Sequence, residues 1–230
     1  MDLLPLPIAT RRAARSIPVF RYRINRRKPF SGGQLQPTKA VVVGRRLIVP
    51  LSLALAAALS AGASGAAAGG VASLLAPAGT CGPAADRLNL DVATARKAML
   101  CLTNYARVHS GLKRLVGNAM LNQAGEAKLD ADLSCGEFSH TPCGKPFDVV
   151  FAGYTAGAGS YALGENIAWG TGTFGTPRQT MTAWLHSSEH RQNILSSTFH
   201  ELGIGYVTGR TFQGASGATL WSQEFASRSH

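Results

Sequence analysis

Apolar residues recur along the second half of the chain with two periods, a helical one first and a strand-like one last. Ala95, Ala98, Leu102, Tyr105, Ala106 and His109 stand three and four apart, the stripe of an amphipathic helix. Asp91 is placed to cap that helix and Gly111 to stop it. Leu121, Ala124, Ala127 or Lys128, and Ala131 mark a second helix over 119–134, capped by Asn118. Pro146 opens a short helix through Val149, Val150 and Phe151 that ends near Gly153. Pro177 opens another, with Met181, Trp184 and Leu185 on one side, and a shorter helical piece runs from His190 to Leu195. The Gly-rich stretch 157–175 reads as loop, except around Glu165 to Trp169.

The period then changes to two. Residues 203–208 and 219–226 read as strands, and Trp221, Gln223 and Phe225 share one face of the second. Residues 209–217 read as the hairpin loop between them. Helices come first and strands late, with no repeated βαβ alternation, so the fold class is α+β. The 150 residues from Cys81 to His230 are enough for one core.

Ahead of this region the pattern is different. Residues 1–46 hold nine arginines and two lysines against Asp2, and so carry nearly all of the formal charge of +11. The rest of the chain is close to neutral, which argues against a nucleic-acid partner. Residues 47–63 are apolar and then small, with Ala61-Gly62-Ala63 suited to cleavage, and read as the core of a secretory signal. An uncleaved membrane anchor is the alternative, but the strongly apolar part is about 15 residues where a span needs ~20. No Met lies between Met1 and Met99, so translation from a valine codon at Val41, Val42 or Val43 would leave residues 1–40 untranslated. Residues 64–80 are rich in Gly, Ala and Ser and read as a flexible linker, with the folded domain over 81–230.

All four cysteines follow the signal, and an even count in an exported chain points to two disulfides. Cys81–Cys101 with Cys135–Cys143 is favoured among the three pairings, because both bonds close local loops. Each would stabilise by roughly 2.5 to 3.5 kcal/mol in the chain-entropy account. A zinc site from Cys135, His140 and Cys143 is the rival reading, one ligand short.

Few polar residues remain for chemistry. Glu165 is the only charged residue between Asp148 and Arg178. Phe138-Ser-His140 and Gly164-Glu-Asn166 stand before Trp184, His190-Arg191 and Asn193-Ile-Leu195. Leu102-Thr-Asn104, Arg107, Gly111-Leu112 and Leu115 precede them, while Leu202-Gly-Ile-Gly205 and the alternation Trp221, Gln223, Phe225 close the chain. In this order and at these spacings the sequence resembles the CAP superfamily, or SCP domain, of cysteine-rich secretory, antigen 5 and pathogenesis-related proteins. The match is nearest its bacterial extracellular branch.

The resemblance implies an α-β-α sandwich with a small antiparallel sheet between helical layers, and a cleft where His and Glu side chains converge. His140, Glu165 and His190 take three of the four cleft positions. Ser187 stands where many relatives carry a second glutamate, and Asn166 completes the Gly-Glu-Asn motif. Two imidazoles and a carboxylate could hold zinc or another divalent cation, position a water with Glu165 as base, or form a buried structural cluster. The leading expectation is a secreted or envelope-associated protein that binds through this cleft. A small apolar ligand such as a lipid or sterol, or a cell-wall or matrix component, would be its partner, with membrane association only through an uncleaved signal. A metal-dependent, peptidase-like hydrolase and a purely structural cluster in an interaction module are the alternatives. Trp169, Trp184 and Trp221 read as core, His186 and His200 as surface, and Arg107 and Arg191 as solvated or structural.

Overall fold

The computed structural model describes residues 34–35, 39–43 and 70–230. Strands β1 (Gln34–Leu35) and β2 (Lys39–Val43) come first, then helices α1 (Val71–Leu74) and α2 (Val92–His109). Strand β3 (Val116–Gly117), helices α3 (Ala119–Cys135) and α4 (Ala152–Thr155), and strand β4 (Ser160–Thr171) follow. Helices α5 (Pro177–His186) and α6 (Ser188–Ile194) lead to strands β5 (Glu201–Phe212) and β6 (Ala215–Ser229).

The helix ends fall where the caps predict. Asp91 accepts from the Thr94 amide at 2.9 Å, and Asn118 accepts from the amides of Met120 and Leu121 at 2.8 and 3.2 Å. The Asp91 carboxyl is held below its usual range by that Thr94 amide bond. Each cap satisfies amides that the first helical turn leaves without a partner.

One sheet joins every strand. β6 lies at its centre, antiparallel to β4 on one side and to β5 on the other. β3 runs parallel to β5, so the sheet is mixed at that border. Side chains along β6 alternate between two helical layers. Trp221 and Phe225 pack with Leu102 of α2 and Met181 of α5, whereas Leu220 packs with Leu129 and Ala226 with Leu121, both of α3. This is the α-β-α layering that the sequence motifs imply.

Helix α3 lies unusually close to the sheet. A Cβ on Gly205 would come within 2.3 Å of the Gly125 carbonyl oxygen, so backbone meets backbone there. Helix α3 packs along β5 and β6.

Four boundaries differ from the sequence reading. Residues 160–171, read mostly as loop, form the long strand β4. Its glycines answer close packing: a Cβ on Gly164 would sit 2.7 Å from the Phe199 ring. The hairpin loop is much shorter than 209–217, because a two-residue turn at Gln213 and Gly214, both with positive φ, lets β5 and β6 pair almost to their ends. Residues 70–80, read as linker, are packed: Leu74 and Ala76 are buried against α2 and α5, and Arg178 donates to the Ala76 carbonyl. Part of the basic segment, read as lying outside the fold, supplies β1 and β2. They pair with the edge of β4 that faces away from β6, and the β-branched run Val41-Val42-Val43 suits strand pairing. The signal core 47–63 lies outside the described residues. Among the described residues no helix is long and apolar enough to cross a membrane.

Candidate functional site

Helix α3 brings Lys128 and Asp132 to the sheet, one turn apart and both buried. Lys128 Nζ donates to Asp132 Oδ1 at 2.6 Å and also to the Ser139 carbonyl. The loop after α3 is closed by the Cys135–Cys143 disulfide, with Cα atoms 5.6 Å apart. His140 rides on that loop and is 6% exposed. Its Nδ1 is in direct contact with Oε1 of Glu165, which is fully buried on β4. Burial is the main cause that pushes the Asp132 carboxyl up to about 6, against the opposing pull of Lys128.

The Gly-Glu-Asn motif splits across the sheet because successive strand residues point to opposite faces. Glu165 faces the α3 layer. Asn166 faces the other, where its Nδ2 donates to the His190 carbonyl at 3.2 Å and to Gln223 Oε1 at 3.0 Å. Asn193 Nδ2 in turn donates to the Glu165 carbonyl and to Asn166 Oδ1, both at 3.1 Å. Gln223 passes the chain on to Thr103 Oγ1 at 2.7 Å. These bonds fasten α6, β4, β6 and α2 to one another. His190 is buried, and its Nδ1 lies 2.7 Å from Ser187 Oγ. The structure thus joins His140 to Glu165, and joins His190 to Ser187 through its ring and to Asn166 through its backbone.

Other expectations resolve plainly. The second disulfide, Cys81–Cys101, also forms, so Cys135 and Cys143 serve each other and not a zinc site with His140. All three tryptophans are buried, and His186 and His200 are exposed. Arg107 is structural: its guanidinium donates to the carbonyls of Lys113, Ile194 and Ser196 at 2.8 to 2.9 Å. Lys128, Asp132 and Glu224 are buried members of the same region that the motifs do not mark. The signals for them were a lysine on the apolar stripe of a helix and a glutamate inside a central strand.

A pocket of about 390 Å³ opens beside the cluster. Lys128 and His140 reach its wall, and Lys145 is the third basic residue there. Phe147, Val149 and Val150 also line it, and no Asp or Glu does.

The profile of the cysteine-rich secretory protein family, CAP, matches residues 100–225, more than half of the chain. This chain belongs to the CAP family. A relative in Bacillus subtilis (strain 168), the uncharacterized protein YkwD, is 33% identical over 136 residues, which is 58% of this chain and 48% of YkwD. The CAP chain therefore spans about half the length of that curated relative. An outer surface protein of Borrelia burgdorferi has the same fold at 16% identity, with a TM-score of 0.50 over 60% of this chain and 96% of its own. An extracellular SCP-domain protein of Bacillus anthracis is similar at 20% identity and a TM-score of 0.46, over 60% of this chain and 44% of that one.

The resemblance to CAP cleft residues implies a divalent cation, and a histidine that holds one commonly has its other ring nitrogen bonded to a carboxylate or hydroxyl. His140 Nδ1 is engaged by Glu165 and His190 Nδ1 by Ser187. Among the described residues no three His, Cys, Asp or Glu side chains form a group that could hold a metal ion.

Proposed function

We propose that this CAP protein is an exported binding module, and that its pocket beside His140 takes a small apolar molecule with an anionic head. The carrying observation is the chemistry of the wall, which combines the basic His140, Lys128 and Lys145 with the apolar Phe147, Val149 and Val150. The volume of about 390 Å³ lies in the ~300–1,000 Å³ range of small-molecule sites. The apolar residues would supply binding energy by leaving water, and the basic residues would select for charge. Export is supported by the signal-like segment 47–63 and by two disulfides. Glu165 is fully buried beneath His140, which favours a role in holding the ring over one as a base for hydrolysis.

Titration calorimetry with a medium-chain carboxylate and the matching alcohol tests this. The carboxylate should bind more tightly. His140→Ala should erase that preference, and Val150→Asp should weaken both ligands. Equal affinity for the two in the wild type, or a carboxylate affinity indifferent to both substitutions, would reject the pocket. Zinc binding that is lost in both His140→Ala and His190→Ala would instead restore the metal reading.

A further inference from the structure

Between Asp91 and Glu126 the chain has no acidic residue, yet it carries Arg96, Lys97, Arg107, Lys113 and Arg114. This stretch comprises α2, β3, the start of α3 and the segment 110–115, which turns back from α2 to β3. The returning chain runs along the helix. Arg107 donates to the Lys113 carbonyl at 2.9 Å. One turn earlier, Asn104 donates to the Leu115 carbonyl at 3.0 Å and accepts from the Leu115 amide at 2.7 Å. A further turn earlier, Leu100 lies against Gly117, where an added Cβ would meet Leu100 Cδ2 at 3.3 Å. Leu100, Asn104 and Val108 stand four apart and so share one row of the helix.

These contacts fix the backbone of the returning segment and leave its side chains outside. Val116 is 66% exposed, more than any other large apolar residue described, and Val108 and Met120 are exposed too. Lys97, Lys113 and Arg114 are exposed, and none of them forms an ion pair among the described residues. The acids at the border are engaged elsewhere. Asp91 caps the far end of α2. Glu126 pairs with Arg96 at 2.5 Å. Glu201, opposite Val116 on β5, accepts from Asn118 at 2.6 Å and from Tyr154 at 2.5 Å. The face is therefore cationic and apolar at once. A soluble polyanion would use its charges and leave the valines in water. A negatively charged phospholipid surface uses both, because phosphates meet the cations while short apolar side chains enter the headgroup boundary.

We propose that this face, α2 from Lys97 to Val108 with the returning segment 113–117, docks the folded domain on an anionic phospholipid surface. Lys97, Lys113 and Arg114 meet the lipid phosphates, and Val116 enters the headgroup boundary. Each cation near such a surface strengthens binding about fivefold. The segment is already held in place by Arg107 and Asn104, so docking removes little conformational freedom. The contact is independent of the signal-like segment and of the pocket beside His140.

The basic residues of segment 1–46 would bring the full chain to anionic vesicles by charge alone, so a local reporter is needed in place of total binding. The three native tryptophans are buried, beyond the reach of a contact quencher in lipid. Val116→Trp in the full chain adds a reporter at the docking face. Phosphatidylglycerol vesicles with acyl chains brominated near the headgroup should quench it, and brominated phosphatidylcholine vesicles should not. Asp130→Trp, at an exposed position of α3 in the opposite layer, should stay at the wild-type baseline. Adding Lys113→Gln and Arg114→Gln to Val116→Trp should abolish the extra quenching. The melting temperature should stay within about 2 °C, because Arg107 holds the Lys113 carbonyl and not its side chain. Quenching of Val116→Trp no greater than wild type, equal quenching of both reporters, or quenching that survives the Lys113 and Arg114 substitutions overturns the proposal. Polyphosphate that shifts the Val116→Trp emission while brominated lipid leaves it unquenched would assign the face to a soluble polyanion, and overturns it as well.

Discussion

Lys128 and Asp132 illustrate what a single pair of charges costs in this interior. They are 2% and 0% exposed and 2.6 Å apart, so each is the main compensation for the other. Removing one partner leaves an uncompensated buried charge, which costs about 3–5 kcal/mol, whereas replacing both with apolar residues of similar volume is near neutral. Lys128→Met alone should therefore lower stability in urea unfolding by that amount, and Lys128→Met with Asp132→Leu should recover most of it. Loss of equal size in the single and double variants would contradict this account. The pH dependence has a definite sign. The folded Asp132 carboxyl is raised from 3.8 to about 6, so its contribution is complete below 3.8 and is lost as pH rises through 6. The double variant should lack that part of the slope. From sequence alone, Lys128 was visible only as an odd member of an apolar stripe. Its pairing with the residue one turn on carried no signal that separates a buried bond from a solvated one.

The helices were legible as elements because their stripes and caps are local. Asn118, Asp91 and Thr176 fix their ends through bonds to residues two or three positions away. β4 was not legible, because its glycines answer distant neighbours: Gly164 makes room for Phe199, which lies 35 positions further along the chain. A strand buried on both faces also lacks the polar–apolar alternation that announces one. The same logic applies where α3 meets β5. Gly205→Ala would force a Cβ to within 2.3 Å of the Gly125 carbonyl oxygen. The helix must lift, and overpacking of this kind costs about 1–3 kcal/mol. A fall in melting temperature of roughly 3–10 °C is expected by thermal unfolding. His140 contact with Glu165 should loosen too, because Lys128 of α3 anchors the loop through the Ser139 carbonyl. An unchanged melting temperature would mean that α3 has slack the packing does not show.

Over the whole molecule the two disulfides have separate duties. Cys81–Cys101 spans 20 residues and pins the segment before α2, whereas Cys135–Cys143 spans 8 and encloses His140. Loop entropy makes their stabilities similar, about 3.3 and 2.6 kcal/mol. Their removal should nevertheless differ in function. Replacing Cys81 and Cys101 by serine should lower the melting temperature and leave the affinity for the proposed carboxylate ligand nearly unchanged. Replacing Cys135 and Cys143 should lower both, since the ring loses its tether. Equal effects on calorimetric affinity would refute this division. The fold, its layers and the His140–Glu165 contact followed from motifs spread over the domain. The opposition of Glu165 and Glu224 did not, because it arises from the register of two strands that are about 60 residues apart in sequence.

The small strand β2 has a consequence for the life of the chain. Its 5 residues cover the border of β4 from Tyr161 to Glu165, beside the site. Proteolytic maturation anywhere between residues 44 and 69 would detach β1 and β2 and leave that border bare. The precursor and the mature protein would then differ by more than a leader: the mature form would offer a template of open amide and carbonyl groups next to Glu165, ready for an extended segment from another molecule.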